Sequence, residues 1–163
     1  MDWVRHTNFC EFITGGQEPE FHDDQSALRR LMDTQFNPRR TVFLPEELKG
    51  RLTATNSTVV KITRPEISAH RIRFGATADA AGLCVIPQSF YHCWKGFVDG
   101  KPTPLLRANV AFQAIAVPAG EHEVTLLYRD PLLLAGAAIT LFTGITCWLL
   151  WRRWRDLGKE KAA

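Results

Sequence analysis

From Pro131 to Trp151 the chain runs 21 residues without a charge, and Arg152, Arg153 and Arg155 follow at once. At about 1.5 Å per residue the run spans roughly 31 Å, close to the hydrocarbon thickness of a bilayer. A soluble helix of that length would rarely be apolar on every face. The pattern therefore predicts a transmembrane helix with a basic stop. Gly136, Thr140 and Gly144 recur at four-residue spacing within it. Such a stripe of small residues lets membrane helices approach one another closely.

Upstream the period is different. Phe9, Phe12 and Ile13 suggest a short strand ended by Gly15-Gly16. Asp23 and Asp24 then precede Ala27, Leu28, Leu31 and Met32 at helical spacing, which predicts a short capped amphipathic helix. After Pro38 the chain alternates like strands. Thr41–Leu44 is stopped by Pro45, and Pro45–Gly50 reads as a turn or one helical turn. Thr53–Thr63 and Ile67–Phe74 are rich in β-branched or alternating residues, while Gly82–Phe90 is continuously apolar, as in a strand covered on both faces. Trp94–Val98 leads into Asp99-Gly100, a pair suited to a tight type I′ turn. Pro102 and Pro104 limit pairing beyond it. Val110–Val117, a turn at Pro118-Ala119-Gly120, and Glu121–Arg129 complete the series, with Val124, Leu126 and Tyr128 on one face.

The expected fold class is mainly β: an antiparallel β-sandwich, jelly-roll-like, with a short N-terminal helix and one C-terminal transmembrane helix. The expected divisions are residues 1–38, a β-domain over 39–130, the membrane helix over 131–151 and a basic tail over 152–163.

Charge adds sidedness to this picture. The chain carries 20 Lys+Arg against 17 Asp+Glu, and the segment 152–163 holds five of the basic and two of the acidic residues. Residues 1–151 are thus balanced at 15 of each sign, which leaves no basic face for nucleic acid. The basic end marks the cytoplasmic side, and Trp148, Trp151 and Trp154, with Arg152, Arg153 and Arg155, suit the membrane interface there. Residues 1–130 would then be extracytoplasmic. No signal-peptide pattern opens the chain. We therefore expect it to be the C-terminal part of a longer polytopic protein, whose other helices set the topology and pack against this one.

Candidate chemistry is sparse. Cys10, Cys84, Cys93 and Cys147 form no C-x-x-C, and no His/Cys spacing reads as a zinc site. Cys84 and Cys93 could bridge across a hairpin in an oxidising compartment or remain independent buried thiols. His22-Asp23-Asp24 reads as a helix cap rather than a metal motif. Ser89, His92 and Cys93 are close in sequence but lack a nucleophile elbow. No Gly-rich phosphate loop occurs, so neither cofactor nor metal is expected. Tyr91, His92, Trp94, Asp99 and Asn109 lie around one predicted hairpin. They could contact a glycan through ring stacking and hydroxyl hydrogen bonds, or serve as core and turn residues.

Several motifs occur in order: Phe36–Leu44 (FNPRRTVFL), Tyr91, Trp94, Val98-Asp99-Gly100, Arg107-Ala108-Asn109, Val117–His122 (VPAGEH), Val124 and Tyr128. Over roughly residues 25–150 this series resembles the C-terminal end of bacterial YfhO-like membrane proteins. It departs from their pattern at Cys93, where a glycine is usual, and at Asp130-Pro131. The resemblance implies a polytopic glycosyltransferase-like parent of the GT-C type in the bacterial plasma membrane, using lipid-linked sugar donors for cell-envelope glycan or lipid modification. The family's expected catalytic acid lies in an early loop that this chain does not contain, so no catalytic residue carries over. The resemblance thus implies a non-catalytic extracytoplasmic domain and anchor, whose partners are the bilayer, other membrane helices and a glycan or lipid-linked sugar. The alternative is a stand-alone single-pass protein acting as a binding or assembly module.

Overall fold

A computed structural model describes residues 13–160. The chain divides into two compact units, Met1–Tyr128 and Arg129–Ala163. The first is mainly β. Its strands are β1 (Thr14–Gly15), β2 (Glu18–His22), β3 (Thr41–Pro45), β4 (Val60–Ile67), β5 (Arg71–Ala78), β6 (Gly82–Ser89), β7 (Trp94–Val98), β8 (Lys101–Thr103), β9 (Leu105–Ala108), β10 (Phe112–Val117) and β11 (Gly120–Tyr128). An eight-residue helix, α1 (Asp24–Leu31), and a 3-10 turn, Glu46–Leu48, interrupt them.

Two antiparallel sheets form, ordered β1-β6-β10-β9 and β4-β5-β11-β7-β8. They bury one core between them, with Ile72, Phe74, Val124, Leu126 and Trp94 from the five-stranded sheet and Cys84, Ile86, Ile115 and Val117 from the four-stranded one. The opposite face of the four-stranded sheet is also apolar. Leu83, Val85, Leu106, Ala108 and Ala114 pack there against Val42 and Leu44 of β3 and Ala54 of the following loop. β6 is thus buried on both faces over Gly82–Ile86, as its continuous apolar run requires. β2 and β3 form a separate parallel pair.

Several sequence boundaries shift. Of the strand expected from Phe9, Phe12 and Ile13, the first two residues lie outside the described residues; Ile13 is buried, and the described pairing starts at Thr14. The run Thr53–Thr63 is strand only from Val60. Asn56 and Ser57 favour turns, and the Thr58 N–H donates to the Gly16 carbonyl at 3.0 Å instead of entering a ladder. Ile67–Phe74 is not one strand but the two arms of a hairpin. Ser68 closes it, its hydroxyl donating to the Arg71 carbonyl at 2.9 Å and accepting from the Arg71 N–H at 3.2 Å. β9 is not among the expected strands: it follows directly on Pro102 and Pro104, yet it alternates, with Leu106 and Ala108 buried and Leu105 and Arg107 half-buried. Val110 is not strand either. At φ 68° it sits in a turn closed by the Ala111 N–H on the Asn109 carbonyl at 2.8 Å. Cys84 and Cys93 are free buried thiols, not a bridge, and burial pushes the Cys84 thiol up to about 12.

Prolines mark both edges of the five-stranded sheet. Pro65 occupies the register shift of β4 between Thr63 and Glu66, and Pro102 sits in β8. Neither can donate to a further strand.

The second unit is α2 (Pro131–Glu160), 30 residues long. The Asp130 carboxylate caps it, accepting from the Leu132 N–H at 2.9 Å, with Pro131 in the first helical position. Residues Pro131–Trp154 are long and apolar enough to cross a membrane. The helix continues beyond Trp151 through Arg152 and Arg153.

Among the described glycines, Gly16 has the closest neighbour to a would-be Cβ. Its φ is 84°, and a Cβ there would lie 1.9 Å from the Thr58 carbonyl oxygen. Gly16→Ala should therefore destabilise by about 3 kcal/mol, through strain and loss of the loop's approach to β6. Urea unfolding of the detergent-solubilised chain, followed by its β signal, checks this. A change within 0.5 kcal/mol (about the scatter of surface substitutions) would contradict it.

Candidate functional site

The structure separates the five sequence candidates. Trp94 is 6% exposed and belongs to the core, its ring edge-on to Tyr128 at 5.4 Å. Asp99 lies at the far end of β7, in a turn whose two residues both have positive φ, 51° at Asp99 and 74° at Gly100. Asn109 is buried against β3. Only Tyr91 and His92 remain exposed beside one another, with ring centroids 4.2 Å apart. They did not converge with Asp99 and Asn109 because β7 carries Asp99 away along its length, while β9 delivers Asn109 to the other sheet.

Tyr91 and His92 line a shallow groove of about 490 Å³ with Phe90, Trp94, Lys95, Phe97, Pro102 and Pro104. Its walls are ring faces and proline edges, and Lys95 is the charged group. No carboxylate lines it. The groove can stack on a flat or apolar ligand surface, and Tyr91, His92 and Lys95 are the titratable groups of its lining.

Asp99 and Asn109 do something else. The Asp99 carboxylate contacts His122 Nδ1 at 2.7 Å and accepts from the Glu123 N–H at 2.8 Å. The other ring nitrogen of His122 lies 3.1 Å from the Ala119 carbonyl. Both nitrogens face acceptors, which favours the doubly protonated imidazolium. The hydrogen bond to Asp99 raises the His122 pKa, and the hydrogen bond to His122 lowers that of Asp99. The VDG turn and the PAGEH turn are therefore one staple. A second staple joins β3 to the RAN segment. Asn109 Oδ1 accepts from the Phe43 N–H at 2.9 Å, and the Asn109 N–H donates to the Phe43 carbonyl at 2.8 Å. Its φ of 47° is a left-handed value that asparagine tolerates. Next to it Arg107 grips Asp24 through two hydrogen bonds, 2.8 and 2.7 Å. Sequence reasoning missed both pairings; their signal was only that each motif had a second motif to meet.

A larger groove, about 780 Å³, crosses the outer face of β4, β5 and β11 and was not singled out from sequence. Its charges are largely matched. Arg73 donates twice to Glu123, at 2.9 and 2.7 Å, and that bond raises its already high pKa.

Asp23 caps α1, accepting from the Gln25 and Ser26 N–H groups at 2.9 and 3.0 Å, and its hydrogen bonds to Ser26 lower its pKa. Among the described residues no three His, Cys, Asp or Glu side chains converge as metal ligands. Ser89 is exposed and Cys93 is buried. On α2 the rings of Trp148, Trp151 and Trp154 are exposed, and the Arg152 guanidinium lies 5.7 Å over Trp148. Arg153 and Arg155 continue the same helix.

Two predictions follow the staples. Asn109→Ala should cost about 1–3 kcal/mol, because it leaves a buried Phe43 N–H unpaired. Asn109→Asp, which keeps the acceptor, should cost less, as chemical denaturation would show. The Asp99–His122 pair makes stability depend on pH. His122 contributes fully below its unfolded value of about 6.5 and loses this as pH rises through its raised folded value. Asp99 contributes above its unfolded value of about 3.9 and loses this as pH falls through its lowered folded value. The pair thus helps most between about pH 4 and 6.5, weakly and less at high salt. The melting temperature should fall from about pH 6 to about pH 9, and His122→Gln should flatten that fall.

No family model, no curated protein and no solved structure matches this chain.

Proposed function

We propose that this chain is a membrane-tethered, non-catalytic β-domain, held outside the cytoplasm by α2, with the basic end of the helix facing the cytoplasm of a bacterial plasma membrane. The observation that carries the reading is the direct join of a β unit to an uncharged span, Pro131–Trp151, followed at once by Arg152 and Arg153. A cluster of arginines and tryptophans at that end fits the cytoplasmic interface. The alternation of consecutive strands between sheets supports a jelly-roll-like sandwich: β4 and β5 in one, β6 in the other, β7 and β8 back in the first, then β9 and β10, then β11.

The finer reading follows the motif series. The domain would be the C-terminal part of a YfhO-like polytopic protein that transfers sugars from lipid-linked donors, with α2 packed among its other helices. Two features support this. The motifs pair with each other as staples, so their joint occurrence has a physical reason. Gly136, Thr140 and Gly144 also recur at four-residue spacing on α2, a stripe of small residues that suits a close helix contact. The groove at Tyr91 and His92 would face an acceptor glycan or the donor's sugar. A stand-alone single-pass binding or assembly module is the second reading, favoured by the one candidate span among the described residues.

Tag accessibility on the native protein in intact cells tests the sidedness. A tag in the Lys101 turn should be reached by membrane-impermeant reagent, and a tag after Ala163 should be reached only after permeabilisation. The reverse pattern, or both tags protected, would remove the extracytoplasmic assignment. Purification in mild detergent then separates the two readings: other membrane-spanning segments accompany the chain in the first and none in the second.

A further inference from the structure

The end of the β unit at which β11 finishes carries an unusual density of exposed apolar and aromatic side chains. The strand registers place them together. Tyr128 pairs with Trp94, Leu127 with Arg71, and Ile67 with Ile72, so the last residues of β4 and β11 and the first of β5 and β7 share one end. Phe112 opens β10 opposite Ser89, and the Phe90 N–H donates to the Ala111 carbonyl at 2.7 Å, which brings the four-stranded sheet to the same end. Ile67 and Tyr91 are each 47% exposed, and Phe90 and Phe112 each 39%. Their exposure is not looseness. Tyr91 stacks on Tyr128 at 6.4 Å, Tyr128 on His70 at 6.0 Å, and the Tyr128 N–H donates to the His70 carbonyl at 2.9 Å. Arg71, Lys95 and His92 are exposed around this rim.

We infer that this rim inserts into the headgroup layer of the bilayer that α2 spans. The occupant is fixed by connectivity. Tyr128 ends β11 and Pro131 begins α2, so the chain allows at most about 10 Å between them. The chemistry also matches: rings with one polar edge prefer the membrane–water interface, and Arg and Lys beside them meet lipid phosphates. The opposite end of the sheets, at Ala78 and Gly120, carries no exposed aromatic ring: Asp79 and Glu121 are exposed there, with Val59 as its one exposed large apolar side chain among the described residues. The inference rests on α2 crossing the membrane, as proposed above.

Photocrosslinking of the full chain in vesicles of phosphatidylcholine and phosphatidylglycerol tests it. The variants are Tyr91→p-benzoylphenylalanine and Phe112→p-benzoylphenylalanine at the rim, Asp79→p-benzoylphenylalanine and Glu121→p-benzoylphenylalanine at the other end, and Ile139→p-benzoylphenylalanine within α2. All five positions are exposed, so the β fold should tolerate them, and far-UV circular dichroism checks that it does. Lipid adducts by mass spectrometry should be roughly tenfold more abundant at 91 and 112 than at 79 and 121, with strong adducts at 139. Adducts at 139 without adducts at 91 and 112 would overturn the rim contact and leave the membrane helix standing. Adducts at 91 and 112 to a second protein chain instead of lipid would overturn it as well. No adduct at 139 would remove the spanning helix, and the inference with it.

Discussion

The fold depends on one constraint: the four-stranded sheet is apolar on both faces. A sheet with one wet face can rest on a single partner layer. This one cannot. Cys84, Ile86 and Ile115 need the five-stranded sheet on one side, and Leu83, Val85 and Ala114 need cover on the other. That second cover comes from Val42, Leu44 and Ala54, residues that precede the main run of strands. The early chain is therefore a structural layer. The tight approach at Gly16, the parallel β2–β3 pair and the Arg107–Asp24 bridge all hold that layer in place.

The motifs acquire a common meaning in this frame. Asn109 ties β3 to the end of β9, where the second core is closed. Asp99 and His122 lock two turns at the other end of the five-stranded sheet. These polar residues are short-range fasteners between segments far apart in sequence. Around Tyr91, by contrast, rings are exposed but held by other rings.

Much of this was legible in sequence because it is local. The uncharged run, the alternation of Glu121–Arg129, the Asp99-Gly100 turn and the Asp23 cap each follow from neighbouring residues. The apolar run from Gly82 announced a strand buried on two faces, which holds over Gly82–Ile86, while Pro87 to Phe90 are exposed. What was not legible is pairing at long range. Nothing local to Thr53–Val59 reveals that the Gly16 carbonyl claims the Thr58 N–H. Nothing local to Asn109 reveals Phe43, 66 residues away. Proximity in sequence grouped Tyr91, His92, Trp94, Asp99 and Asn109, but extended strands separate residues quickly, at about 3.3 Å each.

The prolines at the sheet edges bear on how copies of this domain can meet. A strand edge with free N–H and C=O groups recruits another strand, which is a hazard where many copies are held at one membrane surface and share its plane. Pro65 with its register shift blunts one edge of the five-stranded sheet, and Pro102 blunts the other. At those two positions the sheet has no N–H to offer a strand of a neighbouring chain, so an edge-to-edge ladder would be interrupted there.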